Sequence, residues 1–433
     1  MLTAKESMDS ELPAQISLTD NDSESPREEV LVNETQHQKG TMEKSKKANK
    51  IIIIVPIVLL LISTVASFFI FQPRRSTTEI VVELDVDGED GLNIAGLPRD
   101  RVCPLTGGLF TAPEEELWQT RRPLAVIIEN TVAARPQSGL GNADIVFEVV
   151  AEGGITRFLA IYYCNAQAED ITLGPVRSVR TAHVDLASGF NLPLIAHVGG
   201  ANAPGVTNAL GQLGDFGWNG ENAINQFSVG FPTFVRDYNR IPGRQVATEH
   251  TMVSSTDRLW AVAERRGWTN MTPARTVGNA TIPAAEWSSN YTGWTFEEGS
   301  AQGSVNRIAY GFWSGMPSYD VVWNFDAETN KYLRNLGGEA HIDHNTGEQL
   351  AFSNVVVLQA REAGPINEER HMTHDLIGTG TAFVFNNGEA HEVQWSKPTR
   401  ESELEFTLGG SPFVFTAGPM WISIVDVTNT PAF

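Results

Sequence analysis

Three apolar runs of seven to nine residues stand close together in the first half of the chain: PLAVIIE (123–129), DIVFEVV (144–150) and TRFLAIYYC (156–164). They are β-branched, bounded by polar or turn-forming residues and short, which predicts buried strands, with the AEGG turn joining the second to the third. PLIAHV (193–198) predicts a further strand that ends on Gly199-Gly200. Gly174-Pro175 predicts a helix start with Pro at the first helical position and an apolar stripe at Val176, Val179, Leu186 and Phe190, with His183 inside the stripe. A second helix is predicted over Thr256–Arg266, with Ser254 or Ser255 as the cap and Gly267 as the stop. From Val305 the pattern is β: RIAYGFW, YDVVWNFD and SNVVVLQAR read as strands, and TAFVFNNGEAHEVQW as a hairpin turning on Asn387-Gly388. ELEFTLGGSPFVFTAGPMWISIV adds a second hairpin and a last strand. The predicted class is α+β. A mixed α/β unit over 103–267 is followed by a linker or surface excursion over 268–304. A mainly antiparallel β unit, a small sandwich or barrel, fills 305–433.

One run has a different character. Residues 51–71, IIIIVPIVLLLISTVASFFIF, carry no charge and are long enough to cross a bilayer, which needs roughly 20 apolar residues as a helix. Lys44, Lys46, Lys47 and Lys50 precede it and Arg74 and Arg75 follow, so the basic bias predicts a single-pass signal anchor with a cytoplasmic N-terminus. Residues 1–50 are polar and poor in aromatics and read as a disordered cytoplasmic tail, and 72–102 as a stalk. The main domains are then extracytoplasmic. That address allows a disulfide between Cys103 and Cys164, although two free thiols fit equally, and it leaves Asn270, Asn279 and Asn290 open as glycan acceptors. The net charge of -21 argues against nucleic acid as a partner, since phosphate binding needs a positive face.

The polar residues that interrupt or end the strands are the candidate chemistry. Glu148 and Glu152 flank a turn, where two carboxylates could divide acid and base work on a glycan; a solvated acidic turn is the plainer account. Arg157 opens an apolar strand and needs a carboxylate partner, with Glu148 or Glu152 nearest. Arg177 and Arg180, three apart on one face of the predicted helix start, suit an anion. Arg135, His197 at a strand end, and His250 just before a helix complete the ligand-binding candidates. His341, Asp343, His344, His371 and His374 form two clusters of imidazole and carboxylate that could meet around a divalent metal. Phosphate loops and the Gly-x-Ser-x-Gly elbow are missing from the sequence, and no cofactor is predicted.

Several motifs carry a family likeness: CPLTG (103–107), RPLAVIIEN (122–130), ARPQSGL followed by ADIVFE (134–148), EGGITRFLA (152–160), GPVRSVR (174–180) and HVGG (197–200). With the stretch from SNVVVLQAR to AGPMWISIV, the chain resembles the DUF3048 family of YerB-like bacterial envelope proteins, many of them lipoproteins. The resemblance implies an extracytoplasmic, membrane-tethered protein of undefined biochemistry and supplies no catalytic residues. The expected function is binding of an anionic or glycan envelope ligand such as peptidoglycan. A wall-modifying enzyme using Glu148 or Glu152, or a scaffold for other envelope proteins, are the alternatives.

Overall fold

The computed structural model describes residues 91–277 and 280–433. The expected anchor at 51–71, the tail, most of the stalk and Asn279 lie outside the described residues. Among those described, no helix is long and apolar enough to cross a membrane.

The apolar runs of the first half form β1 (Leu124–Glu129), β2 (Ile145–Glu152), β3 (Ile155–Tyr162), β4 (Leu194–His197) and β5 (Ala223–Asn225). The second half contributes β6 (Arg307–Tyr310), β7 (Val321–Asp326), β8 (Lys331–Leu336), β9 (Asn354–Gln359), β10 (Gly378–Asn386), β11 (Glu389–Lys397), β12 (Glu405–Leu408), β13 (Ser411–Pro412) and β14 (Met420–Val425). The helices of seven or more residues are α1 (Ala112–Trp118), α2 (Thr181–Ser188), α3 (Ala209–Asp215) and α4 (Thr256–Arg265). The class is α+β, dominated by sheet.

Eleven strands form one sheet in the order β13-β12-β11-β10-β9-β14-β2-β3-β1-β4-β5. Strands from 124–225 and from 354–425 are therefore hydrogen-bonded neighbours. Strands β9 to β14 of the 305–433 stretch extend the sheet of the first stretch rather than closing a separate sandwich or barrel, while β6 to β8 belong to a second sheet. The last strand decides this. β14 reads MWISIV, is buried at every position, and lies parallel to both β9 and β2. A parallel strand inside a sheet is covered on both faces and so carries a continuous apolar run. The β10–β11 hairpin turns on Asn387 and Gly388, both with positive φ, as the Asn-Gly signal predicts.

Alternation divides the sheet into two cores. On one face Ala125, Ile127, Phe147, Leu159 and Ile161 pack under α2 and α3 and against Trp287. On the other, Val126, Ile128, Val146, Phe158 and Trp421 meet α4 and a second sheet whose core is β6-β7-β8. The 268–304 stretch is a packed excursion: Trp287 is buried and donates its indole N–H to Tyr163 Oη at 3.1 Å. Cys103 and Cys164 are joined in a disulfide that ties the start of the domain to the end of β3.

The α4 helix starts at Thr256 with Ser255 at its N-cap, as the sequence predicts. The other predicted helix starts later than expected. Val176 to Val179 are extended because their N–H groups are already used by neighbouring strands: Val176 donates to Met252 O, Arg177 to Ile127 O and Val179 to Gly199 O. Helix α2 begins only at Thr181, after Arg180 at the N-cap, whose N–H donates to His183 Nδ1 at 3.0 Å.

Candidate functional site

β3 runs antiparallel to both β1 and β2, so the ends of β1 and β2 meet the start of β3. Glu129 stands opposite Arg157, and Glu148 opposite Phe158. Most of the polar residues singled out in the sequence collect at this end of the sheet, on two different faces.

On the face of the second sheet, Glu148 is fully buried. Its Oε1 accepts from Thr156 Oγ1 at 2.8 Å and Asn130 Nδ2 at 3.3 Å, and Oε2 accepts from Arg334 Nη2. Arg334, also fully buried, donates through Nη1 to His341 Nδ1 at 2.8 Å, and its guanidinium carbon lies 4.3 Å from the Trp421 ring centroid. His341 Nε2–H then donates to Gln137 Oε1 at 2.8 Å, and Gln137 donates to Asn130 Oδ1 at 2.9 Å. The chain of bonds closes on itself, starting from the Arg334 donors and ending on the Glu148 acceptors by both routes. His341 must be neutral to accept from Arg334, in line with burial and the Arg334 charge pushing its pKa well down. This is a lock between β2 and β8, not an acid–base site.

On the opposite face, a β-bulge between Val150 and Glu152 turns Glu152 toward Arg157. Glu152 Oε2 accepts from Arg157 Nη2 at 2.9 Å, and Oε1 from Arg180 Nη2. Burial alone would raise the Glu152 carboxyl, but Arg157 and Arg180 outweigh it and hold the group below its ordinary value. Glu129, buried at the end of β1, accepts from Thr131 Oγ1 at 3.1 Å. It also pairs with Arg177 Nε at 3.4 Å and with His250 Nδ1 at 2.8 Å. Arg177 keeps 29% of its side chain exposed, against 12% for Arg180 and 4% for Arg157.

Several expectations are corrected by this geometry. Arg177 and Arg180 do not share a helical face, since Arg177 is in extended backbone. Glu148 and Glu152 are not a catalytic pair: they face different cores, and each is fixed by guanidinium. The partner of Arg157 is Glu152. His197 is buried, donates Nδ1–H to Gly199 O at 2.8 Å, and is pushed down to about 4 by burial, so it faces no open cleft. Arg135 donates to Asn130 Oδ1 at 3.0 Å and Ser318 O at 2.7 Å and stacks on Tyr319. With His341 it lines an opening of about 380 Å³ apart from Glu152, Arg177 and Arg180. The candidates thus gather at one sheet end without lining one common hollow.

The metal candidates are not brought together. Asp343 accepts backbone N–H groups from Gly139, Gly141 and Asn345 at 2.7–3.1 Å. The His344 N–H donates to Gln137 O. His371 Nδ1 accepts from Asn367 at 2.9 Å, and His374 Nε2 lies 3.1 Å from Glu362. Among the described residues, the side chains that converge in a threesome are Cys103, Asp144 and Cys164, where both sulfurs are already joined to each other.

Sequence reasoning missed Arg334 and Glu129. Both had a signal: Arg334 occupies an inward position of the alternating strand KYLRNL, and Glu129 ends a run that is otherwise wholly apolar.

Residues 105–269 match the "Protein of unknown function (DUF3048) N-terminal domain", and residues 312–422 match the corresponding C-terminal domain. The chain belongs to the DUF3048 family. It is 29% identical over 324 residues to "Putative lipoprotein YerB" of Bacillus subtilis (strain 168), which covers 75% of this chain and 86% of that protein. The crystal structure of YerB protein from Bacillus subtilis matches with a TM-score of 0.59 at 28% identity, covering 77% of this chain and 100% of the solved one. Both family segments contribute to the Glu148–Arg334 lock: β2 lies in the N-terminal match and β8 in the C-terminal one.

Proposed function

We propose that this DUF3048 protein is a membrane-tethered, extracytoplasmic binding protein of the bacterial envelope. Its ligand is an anionic group on a wall polymer such as peptidoglycan, held at the Arg177–Arg180 rim of the sheet end. The observation that carries this reading is a charge mismatch. Among the described residues, Arg157, Arg177 and Arg180 share two contacting carboxylates, Glu129 and Glu152. Glu249, fully exposed, and Arg236 lie within Coulomb range and add one charge of each sign.

An excess guanidinium in a cluster this buried is unfavourable unless an anion completes it. Burial, with the crowding of Arg157 added, lowers Arg180 to about 10 even against the opposing pull of Glu152. Arg177, the most exposed of the three, is the natural contact for a carboxylate or phosphate, which a planar fork grips with two parallel bonds. The tether is the apolar run at 51–71, and kinship with a protein named as a lipoprotein supports an envelope address.

The test is co-sedimentation of the detergent-solubilised full-length chain with purified peptidoglycan. Arg177→Ala is expected to weaken binding about tenfold, the loss of a charged hydrogen bond. Raising salt from about 0.05 M to about 0.5 M should weaken the parent as well. Parent-like sedimentation of both Arg177→Ala and the double variant Arg177→Ala, Arg180→Ala overturns the assignment, as does binding indifferent to salt.

A further inference from the structure

A second site lies away from the sheet end. The excursion after α4, the turn following α3 and the loop after β11 enclose a cavity of about 330 Å³. That volume is within the range of about 300–1,000 Å³ typical of small-molecule sites. Phe216 and Trp218 supply apolar wall, and two guanidinium groups reach it from different parts of the chain, Arg275 and Arg400.

Each guanidinium is only partly satisfied. Arg275 Nη2 donates to Asn191 Oδ1, while its Nη1 is buried without a partner among the described residues. Arg400 Nη2 pairs with Glu401, its guanidinium lies over Phe216 with 3.3 Å from the guanidinium carbon to the ring centroid, and its Nη1 is likewise buried and unpartnered among the described residues. Buried donors of this kind are ordinarily matched by an acceptor. The same cavity carries carboxylates. Asp215 and Glu221 line it, and neither side chain accepts a hydrogen bond or forms an ion pair among the described residues, although Glu221 lies within Coulomb range of Arg275.

We propose that this cavity binds a small zwitterion, an amino acid or short peptide with free amino and carboxylate ends. The carboxylate takes the open Nη1 positions of Arg275 and Arg400, and the ammonium group faces Asp215 and Glu221. A plain anion would be repelled by Asp215, Glu221 and Glu401 together. A plain cation would leave both guanidinium donors unmatched. Only a ligand carrying both charges answers both sets, with its apolar part against Phe216 and Trp218. This inference does not depend on the sheet-end reading, because the two sites share no residue.

The probe is the dipeptide alanyl-alanine, titrated into the full-length chain in detergent by calorimetry and saturation-transfer NMR. Saturable binding is expected, weakened about tenfold or more when either end of the probe is blocked by acetylation or amidation. Arg275→Gln, in the short strand Arg275–Val277 that pairs with Ala280–Ile282, should cause a similar loss. Thr276→Trp, at an exposed lining position, should abolish binding by filling the cavity without touching the core. The proposal fails if alanyl-alanine shows no saturable binding at about 10 mM, far above the range of useful affinities. It also fails if binding is unchanged by the blocked probes or by both variants.

Discussion

Replacing Arg334 by Met tests whether the Glu148–Arg334 lock holds the two halves of the domain together. Met keeps most of the length and apolar contact but removes the charge. The substitution leaves the Glu148 carboxyl fully buried without its counter-charge, with only Asn130 and Thr156 to donate to it. It also strips His341 Nδ1 of its donor and removes the guanidinium from the faces of Trp421 and Trp323. Breaking one side of a buried pair costs about 3–5 kcal/mol, most of it the uncompensated charge. Cation–π contact with two indoles adds about 1 kcal/mol. A loss of about 4–6 kcal/mol is therefore expected, a large share of a typical domain stability of about 5–15 kcal/mol. The double variant Glu148→Gln, Arg334→Met removes the stranded charge, and the carbonyl oxygen of the substituted amide can still accept from Thr156 and Asn130. It should recover about 2 kcal/mol or more relative to the sum of the single variants. The assay is guanidinium unfolding followed by tryptophan fluorescence, for which Trp421 and Trp323 are reporters in contact with the substituted side chain. A single-variant loss below about 1 kcal/mol, or strict additivity in the cycle, refutes the idea that this pair is a lock.

Two other predictions concern stability. The Cys103–Cys164 bridge closes a loop of 61 residues, and chain-entropy arguments give such a loop about 4 kcal/mol of stabilisation. Cys103→Ser with Cys164→Ser should lower the unfolding free energy by about that amount, and an unchanged denaturation midpoint would sink the estimate. His197 is held neutral, with its pKa depressed to about 4 by burial. The unfolded chain then binds the extra proton between about pH 6.5 and 4, so stability falls as pH drops through that window. His197→Asn removes this contribution, and the stability advantage of the parent over the variant should shrink by about 2–3 kcal/mol between about pH 7.5 and about pH 4.5. A parent–variant difference that stays constant with pH contradicts it. Asp144, raised to about 7 by burial, works in the opposite sense in both proteins and cancels in the comparison.

Local pattern determined a large part of this protein. Runs of β-branched residues bounded by turn formers set β1 to β4, because segments this short and this β-branched fit a buried strand better than a helix. The Asn387-Gly388 turn followed from backbone sterics, and the start of α4 from its capping residues. The family likeness was carried by the same motifs. The sequence also placed Glu152 and Arg157 side by side at the turn between β2 and β3, whereas it set Arg177 and Arg180 on a helix start.

What pattern could not decide was pairing between distant segments. That β14 inserts between β9 and β2 depends on hydrogen bonds between residues far apart in the chain, Met420 standing beside Ile145, for which local propensity carries no information. The same insertion made one sheet of what looked like two units, and it brought Arg334 of β8 to Glu148 of β2. Arg157 projects from the opposite face and pairs with Glu152 across the bulge, so two carboxylates that look alike in the sequence became a core lock and a rim ion pair. Burial and partner choice are properties of the assembled fold, because a charge enters a core only where another segment supplies its counter-charge.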